Sequence, residues 1–300
     1  PVPDASLLVA YFSKRDSNAD IYVKRTTDGE SWTEARVTTS PHADYYGNLY
    51  QDAAGTVHAV WFRWTAFEVG SIWHNSSPNG IDWDPAAETE VTQLPDVDDW
   101  VPTIVGTAAG DLIVTFASKK RNPAALREIY LSRRPSGPSS WDSAVALDDV
   151  NDAAAHDTLP SVARTGTELT LLFVRTDASS DVPWETASAD VYAASSNDGL
   201  SWSAPALVTD DSPQSFVDVF PGMYPGLDGI WSMLWVSTKT GAGDTYVMPL
   251  AELTGYPAAA KVNPILEGSS PRAPPTPTPG VFIGVWVEAD PVDQNKKDVF

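Results

Sequence analysis

Four aspartates stand three residues ahead of a turn-forming residue: Asp44 before Gly47, Asp99 before Pro102, Asp157 before Pro160 and Asp218 before Pro221. Carboxylates repeated in this way can do two kinds of chemistry. With backbone carbonyls they supply the hard oxygen set that Ca²⁺ prefers. As a close pair they raise one another's pKa and act as acid and base. Regular repetition also fits a plainer role, in which each Asp caps its own loop turn. A second set lies two residues beyond a recurring strand aromatic: Ser13, Arg63, Ser118, Arg175, Ser237 and Glu288. This position varies while its strand does not, which makes it the specificity position. Arg63, Arg175 and Glu288, with Asp99 and Asp157, are the catalytic candidates. The plainer reading of the two arginines is a rim ion pair with Asp99 or Asp157. Tyr45, Tyr46, Trp64, Phe67, Trp100, Trp184 and Phe216 crowd the same segments. Flat rings beside carboxylates suit sugar stacking and equally a protein interface. The ligand-binding candidates are Asp44, Asp99, Asp157 and Asp218 with Trp64, Trp100, Trp184 and Tyr45. Calcium at the four aspartates is the metal these residues suit. His42 and His156 stand alone in their loops, without a second His at zinc spacing. No Gly-rich phosphate loop follows a strand, which argues against a nucleotide cofactor.

The elements that position these residues recur. Asp190-Val191-Tyr192 leads through Ser196-Asn197-Asp198-Gly199 to Trp202. This reads as a strand, a tight turn with left-handed residues, and a bulky aromatic opening the next strand. Asp20-Ile21-Tyr22 leads likewise to Asp28-Gly29 and Trp32, Ser71-Ile72-Trp73 to Asn79-Gly80 and Trp83, and Glu128-Ile129-Tyr130 to Gly137 and Trp141. Asp244-Thr245-Tyr246 and Asp298-Val299-Phe300 begin further copies. An apolar strand with a central aromatic precedes each copy, six times in all: around Tyr11, Trp61, Phe116, Phe173, Trp235 and Trp286. Near-continuous apolar runs imply strands buried on both faces.

A period of roughly 55 residues holding several short strands predicts an all-β fold, a β-propeller with one four-stranded antiparallel blade per repeat. Six motifs predict six blades in one domain over 1–300, with repeats near 1–46, 47–99, 100–157, 158–218, 219–272 and 273–300. The terminal blades read as incomplete: the first lacks a clear innermost strand and the last stops before its outermost. The Pro-rich run 271–279 reads as extended backbone. The turn Trp residues Trp32, Trp83, Trp141 and Trp202 are expected to be buried between blades.

The turn pattern Ser/Thr-x-Asp/Asn-Gly-x-x-Trp at 26–32, 77–83 and 196–202 resembles the Asp-box of the sialidase-like (BNR-repeat) propellers, one residue short. The resemblance implies that Asp28, Asn79 and Asp198 are structural. It also implies a sialidase chemistry of three arginines, a Tyr nucleophile with a Glu partner, and an Asp acid/base. Arg63 and Arg175 would be two of the arginines, with Arg272 a poor third. The segment carrying the family's first arginine is absent here, and no Tyr stands in a nucleophile context. A weaker resemblance, through Asp20-Ile21-Tyr22-Val23 and Asp244-Thr245-Tyr246-Val247-Met248, is to TolB-like six-bladed propellers.

Forty acidic against nineteen basic residues give a formal charge of −21. That charge disfavours nucleic acid and anionic membranes as partners. It suits an extracellular or cell-surface setting, with the periplasm as alternative. There are no cysteines, hence no disulfide framework. No apolar run approaches a membrane span. The chain opens Pro1-Val2-Pro3 and stops inside a strand, so a longer parent chain is expected. Lys119, Lys120, Arg121, Arg127, Arg133 and Arg134 gather in one short stretch. This basic segment, Lys119 to Arg134, is a candidate for self-association with an acidic face of a second copy. These features predict a module binding a glycan or another surface protein, without catalysis, within a larger assembly. The alternative is a sialidase-like, exo-acting glycoside hydrolase working at the loop face.

Overall fold

The computed structural model describes residues 6–253 apart from 17, 67–68, 94–96, 120–125, 138–139, 178–179, 181, 184–187, 210–215, 226–230 and 240–242, together with 260–261, 287–289 and 297–299. Trp184 and the Pro-rich run 271–279 lie outside the described residues. The chain falls into two compact units: Pro1–Leu171 with Ala194–Pro205, and Leu172–Ala193 with Ala206–Phe300.

In the first unit β1 (Leu7–Asp16), β2 (Asn18–Thr26) and β3 (Thr33–Arg36) form a three-stranded antiparallel sheet. The second sheet is β4 (Ala43–Gln51), β5 (Val57–Ala66), β6 (Val69–Ser77) and β7 (Thr89–Glu90), and the third is β8 (Asp99–Gly106), β9 (Leu112–Ser118), β10 (Glu128–Arg134) and β11 (Val145–Ala146). The fourth takes β12 (Ala155–Thr165), β13 (Glu168–Asp177), β14 (Ala189–Ser196) and β15 (Ala206–Leu207) in that order, and the division between the units passes along it. In the second unit β16 (Asp218–Pro225), β17 (Trp231–Ser237), β18 (Asp244–Pro249) and β19 (Ala260–Lys261) make the fifth. These sheets of meandering antiparallel strands are β-propeller blades.

There are five blades among the described residues, not six. The sixth motif yields only β20 (Val287–Ala289) paired with β21 (Lys297–Val299). A second-strand motif makes a blade only when strands flank it on both sides, and among the described residues the sixth has one hairpin partner. Among the described residues the first blade has three strands, where the sequence lacks an innermost motif.

In four repeats the two aromatic landmarks turn out to be cross-strand partners. Tyr11 faces Tyr22, Trp61 faces Trp73, Phe116 faces Tyr130 and Trp235 faces Tyr246. Rings placed opposite one another stack, with centroids 6.0 Å apart for Phe116 and Tyr130 and 5.6 Å for Trp235 and Tyr246. The apolar second strands are buried as their composition requires; every residue of β9 is buried. In the first unit the core lies between successive sheets. Val60, Phe62 and Ile72 pack with Ile104, Val114, Phe116 and Trp141.

The turns after the third strands hold together through their Asx side chains. Asp28 Oδ1 accepts the amides of Glu30 and Ser31 at 2.9 and 2.8 Å, and Thr26 Oγ accepts that of Gly29. Those amides hold the Asp28 carboxyl down to about 2. Asn79 and Asp198 accept the matching amides of their own turns. Gly199, at φ +74°, sits so close to β9 that an added Cβ would lie 2.0 Å from Ile113 Cδ1. The Trp expectation holds for Trp141 and Trp202, which are buried. Trp83 is half-buried, and Trp32 is 41% exposed.

Candidate functional site

Each innermost strand from the second blade onward begins with the sequence Asp, any residue, then a residue in the left-handed region. Tyr46, Val101, Leu159 and Phe220 have φ of 54°, 48°, 49° and 55°. For a non-Gly residue this conformation costs about 1–2 kcal/mol. The pairing register slips at these points, between Tyr45 and Asn48, Trp100 and Thr103, and Val219 and Gly222. The slip is a β-bulge, which re-aims side chains at the end of a strand. The preceding Asp lies beneath it: Asp44, Asp99, Asp157 and Asp218 are each 0% exposed.

The register also joins the two polar sets read from sequence. Asp44 pairs with Arg63, Asp99 with Ser118 and Asp218 with Ser237. Arg63 donates from Nε to Asp44 Oδ1 at 2.7 Å and from Nη2 to Asp44 Oδ2 at 3.0 Å, in the parallel fork that suits guanidinium and carboxylate. Nη2 also donates to Glu88 at 2.8 Å, and the guanidinium lies 4.3 Å from the Trp73 ring centroid. Burial raises the Asp44 carboxyl and Arg63 draws it back; burial likewise raises Glu88. Arg63 is itself buried and committed to two internal carboxylates. Asp157 accepts the amide of Asp152 at 2.8 Å, and Asp218 accepts Trp235 Nε1 at 3.2 Å.

Above the buried layer of the first unit runs a row of rings. Phe12 meets Tyr45 edge-on at 5.0 Å, Tyr45 lies 6.4 Å from Tyr46, and Tyr46 meets Trp100 edge-on at 5.7 Å. Tyr46 is 39% exposed, and Phe12 and Trp64 are exposed as well. The bulge lifts the Tyr46 ring between its neighbours. Arg127 holds Trp100 from behind: its guanidinium lies 4.9 Å from the ring centroid and donates to Asp98 at 2.8 Å. Rings half in water and half packed can receive the apolar face of a ligand without rearranging.

The structure brings Tyr45, Trp100, Asp44, Asp99, Asp157 and Arg63 together within the first unit and puts Arg175 and Asp218 in the second. Arg175 lies over the Tyr192 ring at 4.7 Å. Glu288 falls in β20. Trp184 is outside the described residues. Among the described residues no group of three or more His, Asp or Glu side chains is placed to hold a metal ion. Lys120 and Arg121 of the basic stretch lie outside the described residues; of its described arginines, Arg127 pairs with Asp98, Arg133 pairs with Asp111 at 2.6 Å, and Arg134 lies over the Trp141 ring. Sequence reasoning missed Glu88, Phe12 as a rim ring, and the Asp98–Arg127 pair; nothing in spacing links residues so far apart.

No known protein family matches the sequence, and no curated protein matches it. Solved structures do. An α-L-arabinofuranosidase from Fusarium graminearum, in complex with an iminosugar inhibitor, matches with a TM-score of 0.63 at 14% identity, over 98% of this chain and 88% of its own. An α-L-arabinanase from Penicillium chrysogenum, complexed with arabinobiose, matches at 0.61 and 15%, over 87% and 78%. A protein of unknown function from Dyadobacter fermentans matches at 0.61 and 13%, over 86% and 79%. The shared property is the fold. Among the described residues no helix is long and apolar enough to cross a membrane.

Proposed function

We propose that this propeller recognises a polysaccharide, and that the saccharide lies on the aromatic rim of the first unit. The observation that carries the reading is the contiguous row Phe12, Tyr45, Tyr46 and Trp100, half-exposed and held from below by buried ion pairs. Pyranose and furanose rings present apolar C–H faces to such surfaces, while their hydroxyls stay in water. The similar structures solved with arabinobiose or an iminosugar inhibitor give the same direction. Recognition without turnover is favoured over a sialidase-like hydrolase by one point. Arg63, one of the two arginines offered in sequence for a substrate carboxylate, is buried and already paired with Asp44 and Glu88. The high negative charge accords with a protein working outside the cytoplasm, at a cell surface or in secretion.

The test is calorimetric titration with arabinan, ulvan and sialosylated oligosaccharides, alongside assays for released reducing ends and unsaturated products. Binding of one of them that falls at least about tenfold in both Trp100→Ala and Tyr46→Ala supports the reading. Binding unaffected by either substitution moves the site elsewhere, and steady product release makes the protein an enzyme.

A further inference from the structure

At the opposite ends of β5 and β6 from Arg63, two buried imidazoles touch. His58 Nδ1 and His74 Nε2 lie 3.2 Å apart, and the rings stack with centroids at 5.4 Å. The pair is packed between Tyr50 on β4, at 6.2 Å from His58, and Trp141, edge-on to His74 at 5.3 Å. It therefore bridges the second and third sheets. The outer nitrogens also have neighbours: His58 Nε2 lies 3.5 Å from Asp52 Oδ2, and His74 Nδ1 lies 3.5 Å from Thr89 Oγ1. The one other charged group facing the pair among the described residues is the Arg134 guanidinium of β10, which acts on both rings.

With both rings neutral, one arrangement of protons satisfies all three links. Thr89 donates to His74 Nδ1, His74 Nε2–H donates to His58 Nδ1, and His58 Nε2–H donates to Asp52. In the reverse arrangement, the bare His58 Nε2 lone pair would face the Asp52 carboxylate. A first added proton can be carried by running the chain backwards. His58 then becomes an imidazolium donating to both Asp52 and His74, and His74 Nδ1–H turns to Thr89. A second proton has no such place. Two N–H groups would point at each other across 3.2 Å, beside Arg134 and with only one carboxylate in reach.

We propose that the His58–His74 pair is a proton-operated latch between the second and third blades, which carries one proton and opens on the second. Burial holds both imidazoles below their ordinary range, His74 furthest. The unfolded chain takes up both protons as pH falls through about 6.5. The folded chain lags behind, so stability is lost as the solution becomes mildly acidic. Each proton withheld shifts the folding equilibrium by about tenfold per pH unit.

Urea unfolding of the full chain at pH 7 and pH 5 tests the latch, with His74→Gln and Asp52→Asn as variants. Wild type should lose at least about tenfold more in its folding equilibrium constant than His74→Gln over this interval. Asp52→Asn should lose more than wild type, because the first proton has lost its counter-ion. Parallel pH profiles for all three proteins would overturn the proposal. If His74→Gln does not fold, imidazole ¹⁵N spectra of wild type decide. Below about pH 6 the His74 ring should stay neutral, changing from the Nε2–H to the Nδ1–H tautomer as His58 takes up the first proton. All four imidazoles titrating near about 6.5 would refute the latch.

Discussion

Replacing Arg63 with Ala leaves Asp44 and Glu88 facing each other in a buried site without their shared cation. Removing one partner of a buried ion pair costs about 3–5 kcal/mol, because the remaining charge keeps its desolvation penalty. The stacking of the guanidinium on Trp73 is lost as well, and contributes up to about 2 kcal/mol when desolvated. The loss should therefore sit at or above about 4 kcal/mol at pH 7, a large share of a domain's stability. The pH dependence has a definite sign. Both carboxyls already have folded-state pKa values above their ordinary range, and without Arg63 they rise further. The folded variant thus binds more protons than its unfolded chain, and it regains stability relative to wild type as pH falls towards about 5. The assay is equilibrium urea denaturation of both proteins at pH 7 and pH 5. A loss below about 1 kcal/mol at pH 7, or a gap that widens on acidification, would show that Arg63 does not neutralise this pair.

The Gly199 and Gly29 turns share a left-handed glycine, but only Gly199 abuts a neighbouring strand. Gly199→Ala should cost about 1–3 kcal/mol more than Gly29→Ala in denaturation, from overpacking against Ile113; equal losses would refute the close approach. Trp202→Ala should cost about 3–5 kcal/mol as a buried truncation, while Trp32→Ala should cost under about 1 kcal/mol, both by thermal or urea unfolding. Changing Lys119, Lys120 and Arg121 together to Glu should abolish any low-salt self-association seen by sedimentation, since exposed ion pairs weaken as salt rises. A monomer at every ionic strength, in wild type and variant alike, removes that partner surface.

The blade was legible in sequence because its signals are local. Asp28-Gly29, Asn79-Gly80 and Asp198-Gly199 announce turns whose hydrogen bonds span three residues, and the apolar runs around Trp61 and Phe116 announce doubly buried strands. The blade number was less legible, since the motif around Trp286 looks like the others yet has one hairpin partner among the described residues. At the candidate site, spacing picked out Asp44 and Arg63 separately, and both proved to lie opposite one another in the register. The second carboxylate on Arg63, that of Glu88, was hidden because it lies twenty-five positions away in sequence. His58 and His74 were passed over for a related reason: each sits in a strand, where a histidine looks like filler until its cross-strand neighbour is known.

The left-handed position after each buried Asp holds Tyr46, Val101, Leu159 and Phe220, four unlike side chains on one backbone shape. Leu159 is packed into the core at that position, whereas Tyr46 and Phe220 are exposed. At those two the residue displayed lies outside the core, so each can be exchanged singly while the strand pairing beneath keeps its register. A combinatorial library confined to codons 46 and 220 would change what each blade presents on an unchanged framework, with most members expected to fold.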